Sequence, residues 1–459
     1  MNQKMTSHHQ ASWQGLGWAR RLLTAVLALV LLMSLLTACS GEGEAEITEI
    51  AGYGDQGARF ARKLAASCPQ RYPYSSQESR AAELIVEELR SYGYEPELQT
   101  FTVTDEEGRV QRSTNIVARL NGRGFKLTGA SQENEQELPE ERHDLVMILG
   151  AHYDTPAPER RGQSDEDQEE PEATTEPEET QDEGLVRPDG IHDNASGVAA
   201  VLTAARILRQ EAPGYEIIFV FFGAGTDDFR GARHYLSTLS SDQRRQIDAM
   251  VNIGPVYAGD KVYAHAGQNS VRSGGYKDYA KRRKLYQVTD IFFEYQLNTR
   301  NRYAIYTNQA SFFVTLDSGL EAVFREWTTK LSDHTPFDRV GIPVVFMESG
   351  DYRIKKVEDV KVESRNPFFQ DTGGVISGTG FDRVSVLEEL FRQMDEQAAG
   401  QTVPAFDTDE PSDGKETEAG RDEDESKRLV PRLEQRINNT AFVLVQLTRK
   451  GPLHYEFKD

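Results

Sequence analysis

Cysteine is nearly missing from this chain: Cys39 and Cys68 are the only two in 459 residues. A disulfide framework is therefore excluded, and a hydrophobic core must hold the fold. At this length, with 38% hydrophobic residues, such a core can be large. Positive charge is scarce too. Lys and Arg number 52 against 74 Asp and Glu, and no basic stripe runs along any segment, which argues against a nucleic-acid partner. Long apolar runs are also missing. The longest, Leu22–Leu36, falls short of the roughly 20 residues that a bilayer needs. No internal repeat is visible.

What is present begins with an export signal. Arg20 and Arg21 precede the Leu22–Leu36 run, and small residues follow it. Leu36-Thr37-Ala38-Cys39 resembles the bacterial lipobox. That implies a lipoprotein signal peptide over 1–38, lipid on Cys39, a tether over 39–50, and a membrane-anchored place in the cell envelope, facing the periplasm or exterior. An uncleaved anchor helix is the alternative. With Cys39 acylated, Cys68 has no partner and reads as a structural thiol.

The net charge of −22 is unevenly placed. Residues 156–190 hold 13 acidic and 3 basic side chains, and residues 400–428 hold 10 and 4, so these stretches carry −16 and the rest only −6. Both are rich in Glu, Asp, Pro, Thr and Ser. They cannot bury enough apolar surface to offset their ordering entropy, so both are expected to be disordered insertions.

Between the insertions the pattern is regular. Glu78–Tyr92 has helical spacing and ends at Gly93. Glu97–Val103 and Thr114–Leu120 read as an antiparallel pair across a turn near Gly108. Short β-branched or aromatic runs recur at Leu145–Leu149, Ile217–Phe222, Ala249–Ile253 and Ile342–Met347. Such runs suit strands buried on both faces of a mostly parallel sheet. Helices over Ser196–Gln210, Val386–Ala399 and Pro431–Leu447 would cover it. In an open α/β sheet of this kind the ligand cleft lies at the carboxyl ends of the strands.

The distinctive residues fall at those ends. His152 and Asp154 follow the first buried run in Gly150-Ala151-His152-Tyr153-Asp154-Thr155. A His there can reach a metal while an Asp two residues on orients the ring; a hydrogen-bonded surface His is the plain alternative. Asp189-Gly190-Ile191-His192-Asp193-Asn194-Ala195-Ser196-Gly197 opens a helix. Asp193 could bridge two cations there, or serve in a cap. Phe221–Leu236 reads FFGAGTDDFRGARHYL, and Ser332-Asp333-His334-Thr335-Pro336-Phe337 comes late.

In this order the pieces resemble the bacterial zinc aminopeptidase family, which includes glutaminyl cyclases and transferrin-receptor-like domains. The resemblance runs from about Tyr53 to the last helix and takes in Tyr92-Gly93-Tyr94 and Thr114-Asn115-Ile116-Val117. It implies a single α/β domain over 51–459, with a mostly parallel central sheet covered by helices on both faces. It also implies a cocatalytic zinc pair and a glutamate that activates water on it. His152 falls on the first ligand, Asp154 on its supporting carboxylate, and Asp193 on the bridge, with Asn194 beside it.

Elsewhere the chain departs from that pattern. Without a gap, the family's adjacent glutamates, one a general base and one a ligand, fall on Gly225 and Thr226. A two-residue shift would put Asp227 on the base and Asp228 on the ligand. A later Asp ligand falls on Gly254 and a late His ligand on Gln370. His192, Asp260, His334 and Asp371 are candidate substitutes. Zinc normally takes three or four protein donors, so these departures matter. The expectation is an exported, lipid-anchored homologue with impaired catalysis. It would bind a peptide, an amine-bearing ligand or an envelope protein, with zinc as the cofactor if there is one. The alternative is an active zinc-dependent aminopeptidase or glutaminyl-cyclase-like enzyme working with one metal and substitute ligands.

Overall fold

A computed structural model describes residues 52, 54–105, 107–127, 141–142, 144–157, 187–270, 278–295, 305–307, 312–315, 321–324, 330–351, 354, 357–400, 432–452 and 455–457. The segments read as export signal and tether, with Cys39, lie outside these residues. So do 158–186 and 401–431, the greater part of both acidic stretches. Among the described residues no helix is long and apolar enough to cross a membrane.

Among the described residues two helices come first, Gly54–Ser67 (α1) and Ser76–Ser91 (α2). The Ser75 hydroxyl accepts the Glu78 N–H at 3.0 Å and so starts α2; Gly93, at φ 86°, ends it. Eight strands then build one sheet: Glu97–Thr104 (β1), Val110–Leu120 (β2), Val146–His152 (β3), Glu216–Phe222 (β4), Ile247–Ile253 (β5), Lys261–Ala266 (β6), Ile305–Thr307 (β7) and Val344–Gly350 (β8). Their order across the sheet is β1-β2-β4-β3-β5-β8-β6-β7. The four anticipated apolar runs are the four central strands, β4, β3, β5 and β8, and these are mutually parallel. β1 and β2 form the anticipated antiparallel pair.

Alternation along the central strands feeds two apolar layers. Met147, Leu149, Ile217, Phe219 and Phe221 face one layer, and Val146, Ile148, Ile218, Val220 and Phe222 face the other. Each such side chain contributes about 1.5–3 kcal/mol on burial. The first layer is closed by α1, α2, Ser196–Gln210 (α3), Tyr279–Glu294 (α5), Val384–Gly400 (α6) and Leu433–Lys450 (α7). The second is closed by Arg230–Thr238 (α4) and the short helix Thr335–Arg339.

α1, α5, and β6 and β7, the last two strands at one end of the sheet, are not among the elements expected from sequence. In α5 the reason is plain: its buried face includes Arg282 and Lys284. The Lys284 ammonium donates to the Tyr215 hydroxyl, Gln287 Oε1 and the Gly451 carbonyl at 2.7–2.8 Å and lies 3.2 Å from Asp248. Tertiary partners make a charged residue tolerable where periodicity would demand an apolar one.

Candidate functional site

β3, β4, β5 and β8 all finish on the same edge of the sheet, in register at Ala151 with Phe221, Leu149 with Val251, and Met347 with Ile253. His152 is the last residue of β3. Its Nδ1 lies 3.2 Å from the Asp154 carbonyl and 3.4 Å from Asp154 Oδ1, and its Nε2 is 3.3 Å from Asp193 Oδ1. Burial opposes a charge on the ring, but Asp154 and Asp193 overcome it and hold the imidazole well above the usual histidine range. Burial likewise pushes Asp154 up, while His152 and Thr226 bring its carboxyl below the ordinary range.

Backbone clamps hold these groups in place. The Arg71 guanidinium is fully buried and donates to the carbonyls of Tyr153, Asp189 and Gly190 at 2.6–2.7 Å. Asp382 accepts the N–H groups of His192 and Asp193. The Asn194 side chain donates to the His152 and Ile253 carbonyls and accepts the Gly197 N–H, tying β3, β5 and α3 together. Asp193 and Asn194 therefore do more than cap a helix.

The turn after β4 is tied down by two buried carboxylates. Asp154 Oδ1 accepts the Gly225 N–H at 2.8 Å, and Oδ2 accepts the Thr226 N–H at 2.9 Å and its hydroxyl at 2.6 Å. Glu78 Oε1 accepts the Ala224 N–H at 2.7 Å. A Cβ on Gly225 would lie 2.3 Å from His152 Cβ, so no side chain fits without movement. Left-handed backbone at Ala224, Asp228 and Phe229 turns the chain sharply into α4. Asp227 accepts the Tyr74 hydroxyl at 2.5 Å and lies 3.4 Å from Arg230; exposed Asp228 pairs with Arg233 at 2.7 Å. Those two carboxylates are engaged with Tyr74 and α4.

The end of β5 is closed in a different way. A Cβ on Gly254 would sit 3.0 Å from the Phe346 ring and 3.5 Å from Glu348 Cβ. Phe346 in turn stacks on His334, centroids 4.6 Å apart. Burial pushes His334 down to about 3, so its ring is neutral. An aromatic pair thus fills the place where the resemblance expects a carboxylate.

The other candidates are dispersed. Gln370 and Asp371 are exposed on the short helical turn Pro367–Thr372. Asp260 accepts the Ser364 hydroxyl and the Arg365 N–H. Both ring nitrogens of His192 are taken: Nδ1 accepts the Ala258 N–H at 3.0 Å, and Nε2 lies 3.1 Å from Glu363 Oε1. Cys68 is buried, and burial pushes its thiol up, which suits a structural role.

Four charged residues at or beside the site were not singled out from sequence: Lys330, Asp333, Glu348 and Glu363. Asp333 sits in the Ser332-Asp333-His334 stretch, and Glu348 directly follows the apolar run of β8, so both carry a local signal. Lys330 and Glu363 leave no local signal. Asp333 is fully buried, and neither carboxylate oxygen has a hydrogen-bond partner among the described residues. Burial raises it to about 7, against the pull of His152. A raised folded value means a contribution fully present below the unfolded value and lost as pH rises through the folded one. Unfolding free energy should therefore fall by a few kcal/mol at most between about pH 4 and 7. Urea titrations across that window should show a shallower fall in Asp333→Asn; an unchanged slope would contradict this.

These residues do not fit the implied zinc pair. His152 and Asp193 supply two donors, where zinc takes three or four. Gly225 and Gly254 offer none; a side chain at Gly225 would collide with His152, and one at Gly254 would crowd the Phe346 ring. Among the described residues no group of three or more His, Cys, Asp or Glu could hold a metal ion.

A model of peptidase family M28 matches residues 136–372, more than half of the chain. An alkaline phosphatase isozyme conversion protein of Escherichia coli (strain K12) is 23% identical over 320 residues, covering 69% of this chain and 78% of that protein. A zinc aminopeptidase from Bacillus subtilis has a similar structure, with TM-score 0.50 and 12% identity over 88% of this chain and 98% of that one. A Porphyromonas gingivalis glutaminyl cyclase aligns with TM-score 0.43 and 18% identity, covering 75% of this chain and 98% of its own. The mostly parallel sheet, the ordered motifs at its strand ends and the extent of the family match agree: this chain belongs to peptidase family M28.

Proposed function

We propose that this M28 family member acts by binding a ligand at the strand-end site, without zinc-dependent peptide hydrolysis, and that it is exported and anchored through lipid on Cys39. The turn after β4 carries the reading. The Gly225 and Thr226 amides and the Thr226 hydroxyl are spent on Asp154, Gly225 abuts His152, and the turn's two carboxylates, Asp227 and Asp228, are engaged with Tyr74, Arg230 and Arg233.

The charge of the site indicates the ligand class. Asp333 is buried and unpartnered among the described residues, and it lies within the fields of His152, Asp154 and Asp193. A buried carboxylate of this kind gains most from a charge-assisted donor, and a protonated amine such as a peptide N-terminus supplies one. Calorimetry with peptides bearing free and acetylated N-termini tests this. The free amine should bind better, and Asp193→Asn or Asp333→Asn should weaken it by about tenfold or more, as losing a bond to a charged group costs about 1.5–3 kcal/mol. Aminoacyl test substrates should stay intact with or without added zinc.

One observation favours the second reading, an active one-metal aminopeptidase or cyclase. The 3.3 Å between His152 Nε2 and Asp193 Oδ1 suits two donors sharing one small cation. Hydrolysis abolished both by a chelator and by His152→Ala would establish that reading and end the first.

A further inference from the structure

The site concentrates carboxylates, and the Lys330 ammonium stands among them. We propose that the Lys330 ammonium is the resident cation of the acidic side of this site, balancing the carboxylate at the end of β8 in place of a metal ion. The inference rests on the reading that no zinc pair is resident, and it names what takes up that charge.

Met347 of β8 is level with Ile253 of β5, so Glu348 is level with Gly254, and a Cβ on Gly254 would be 3.5 Å from Glu348 Cβ. The strand-end acid missing from β5 is therefore supplied from the adjacent parallel strand. Glu348 is only 2% exposed. A buried carboxylate is costly unless a positive group meets it.

Lys330 meets it. Its Nζ lies 3.1 Å from Glu348 Oε2, and His265 Nε2 lies 3.6 Å from Oε1. Burial works against the ammonium, yet Glu348, Glu363 and Asp193 together hold it above the ordinary lysine range. The influence is mutual at Glu363: burial pushes that carboxyl up, but His192 and Lys330 hold it at about 2. Glu363 otherwise accepts the N–H groups of Ile376 and Ser377 and the Ser377 hydroxyl. One flexible side chain thus reaches the end of β8 while acting on acids from two other segments, as a compact point charge can.

The test compares wild type, K330Q, K330R and K330Q/E348Q by thermal melting with chelator or added zinc chloride, and by metal analysis. Wild type and K330R should melt alike and ignore both additions. K330Q should melt several degrees lower with or without zinc, because too few donors remain to hold the ion, and K330Q/E348Q should regain part of that loss. A K330Q protein that melts like wild type and ignores zinc overturns the proposal. So does a wild type that is stabilised by added zinc and retains it. Should K330Q fail to fold, recovery of the fold in K330Q/E348Q supports the pairing and failure to recover overturns it. Wild-type turnover decides the previous reading, whereas the K330Q comparison decides this one.

Discussion

Replacing Arg71 by alanine is expected to lower the unfolding free energy by about 4 kcal/mol, enough to leave little folded protein if the domain is marginal. The guanidinium is fully buried and holds three segments together: the end of α1 through Cys68, the residue after His152, and Asp189-Gly190 before Asp193. Asp382 and Asp189 provide its counter-charge. Truncation would strand buried carbonyls and remove a positive charge near Asp382 and Asp189, and each loss costs about 1–3 kcal/mol. Arg71→Lys keeps the charge but not the planar fork, so it should recover only part of the loss. Urea denaturation of both variants checks this, and a midpoint for Arg71→Ala within experimental error of wild type would refute it.

Putting back the family's glutamates is expected to do harm. The pair Gly225→Glu and Thr226→Glu should destabilise the protein by about 1–3 kcal/mol, the usual cost of overpacking, and should gain neither zinc nor turnover. The new Cβ at 225 would start 2.3 Å from His152 Cβ, and residue 226 would lose the hydroxyl it donates to Asp154. Even with the turn relaxed, the ligand position at Gly254 would still lack a carboxylate and lie against the Phe346 ring. Chemical denaturation and metal analysis of the doubly substituted protein decide the matter. Wild-type stability with stoichiometric zinc would mean that the site is still shaped for the ion.

Much of this architecture is legible in the chain because its causes are local. The four central strands announce themselves as short apolar runs, since burial on both faces leaves no room for alternation. α2 is marked by its periodicity and Gly93. His152, Asp154, Asp193 and Asn194 could be recognised because they directly follow a strand or open a helix, and the structure brings them together. Lys330, Glu363 and Arg71 are different. Each matters through a partner far away in sequence, and nothing beside it marks the pairing.

The amino-acid order alone determined that this is a cysteine-poor α/β chain with its unusual residues at strand ends, because strand burial and helix starts depend on neighbours a few positions apart. Only the tertiary structure decided what those residues can do. Whether Gly225 has room for a side chain, whether Asp227 and Asp228 are free, and which charge meets Glu348 depend on atoms brought within about 4 Å by the sheet, where excluded volume and the Coulomb interaction are decisive.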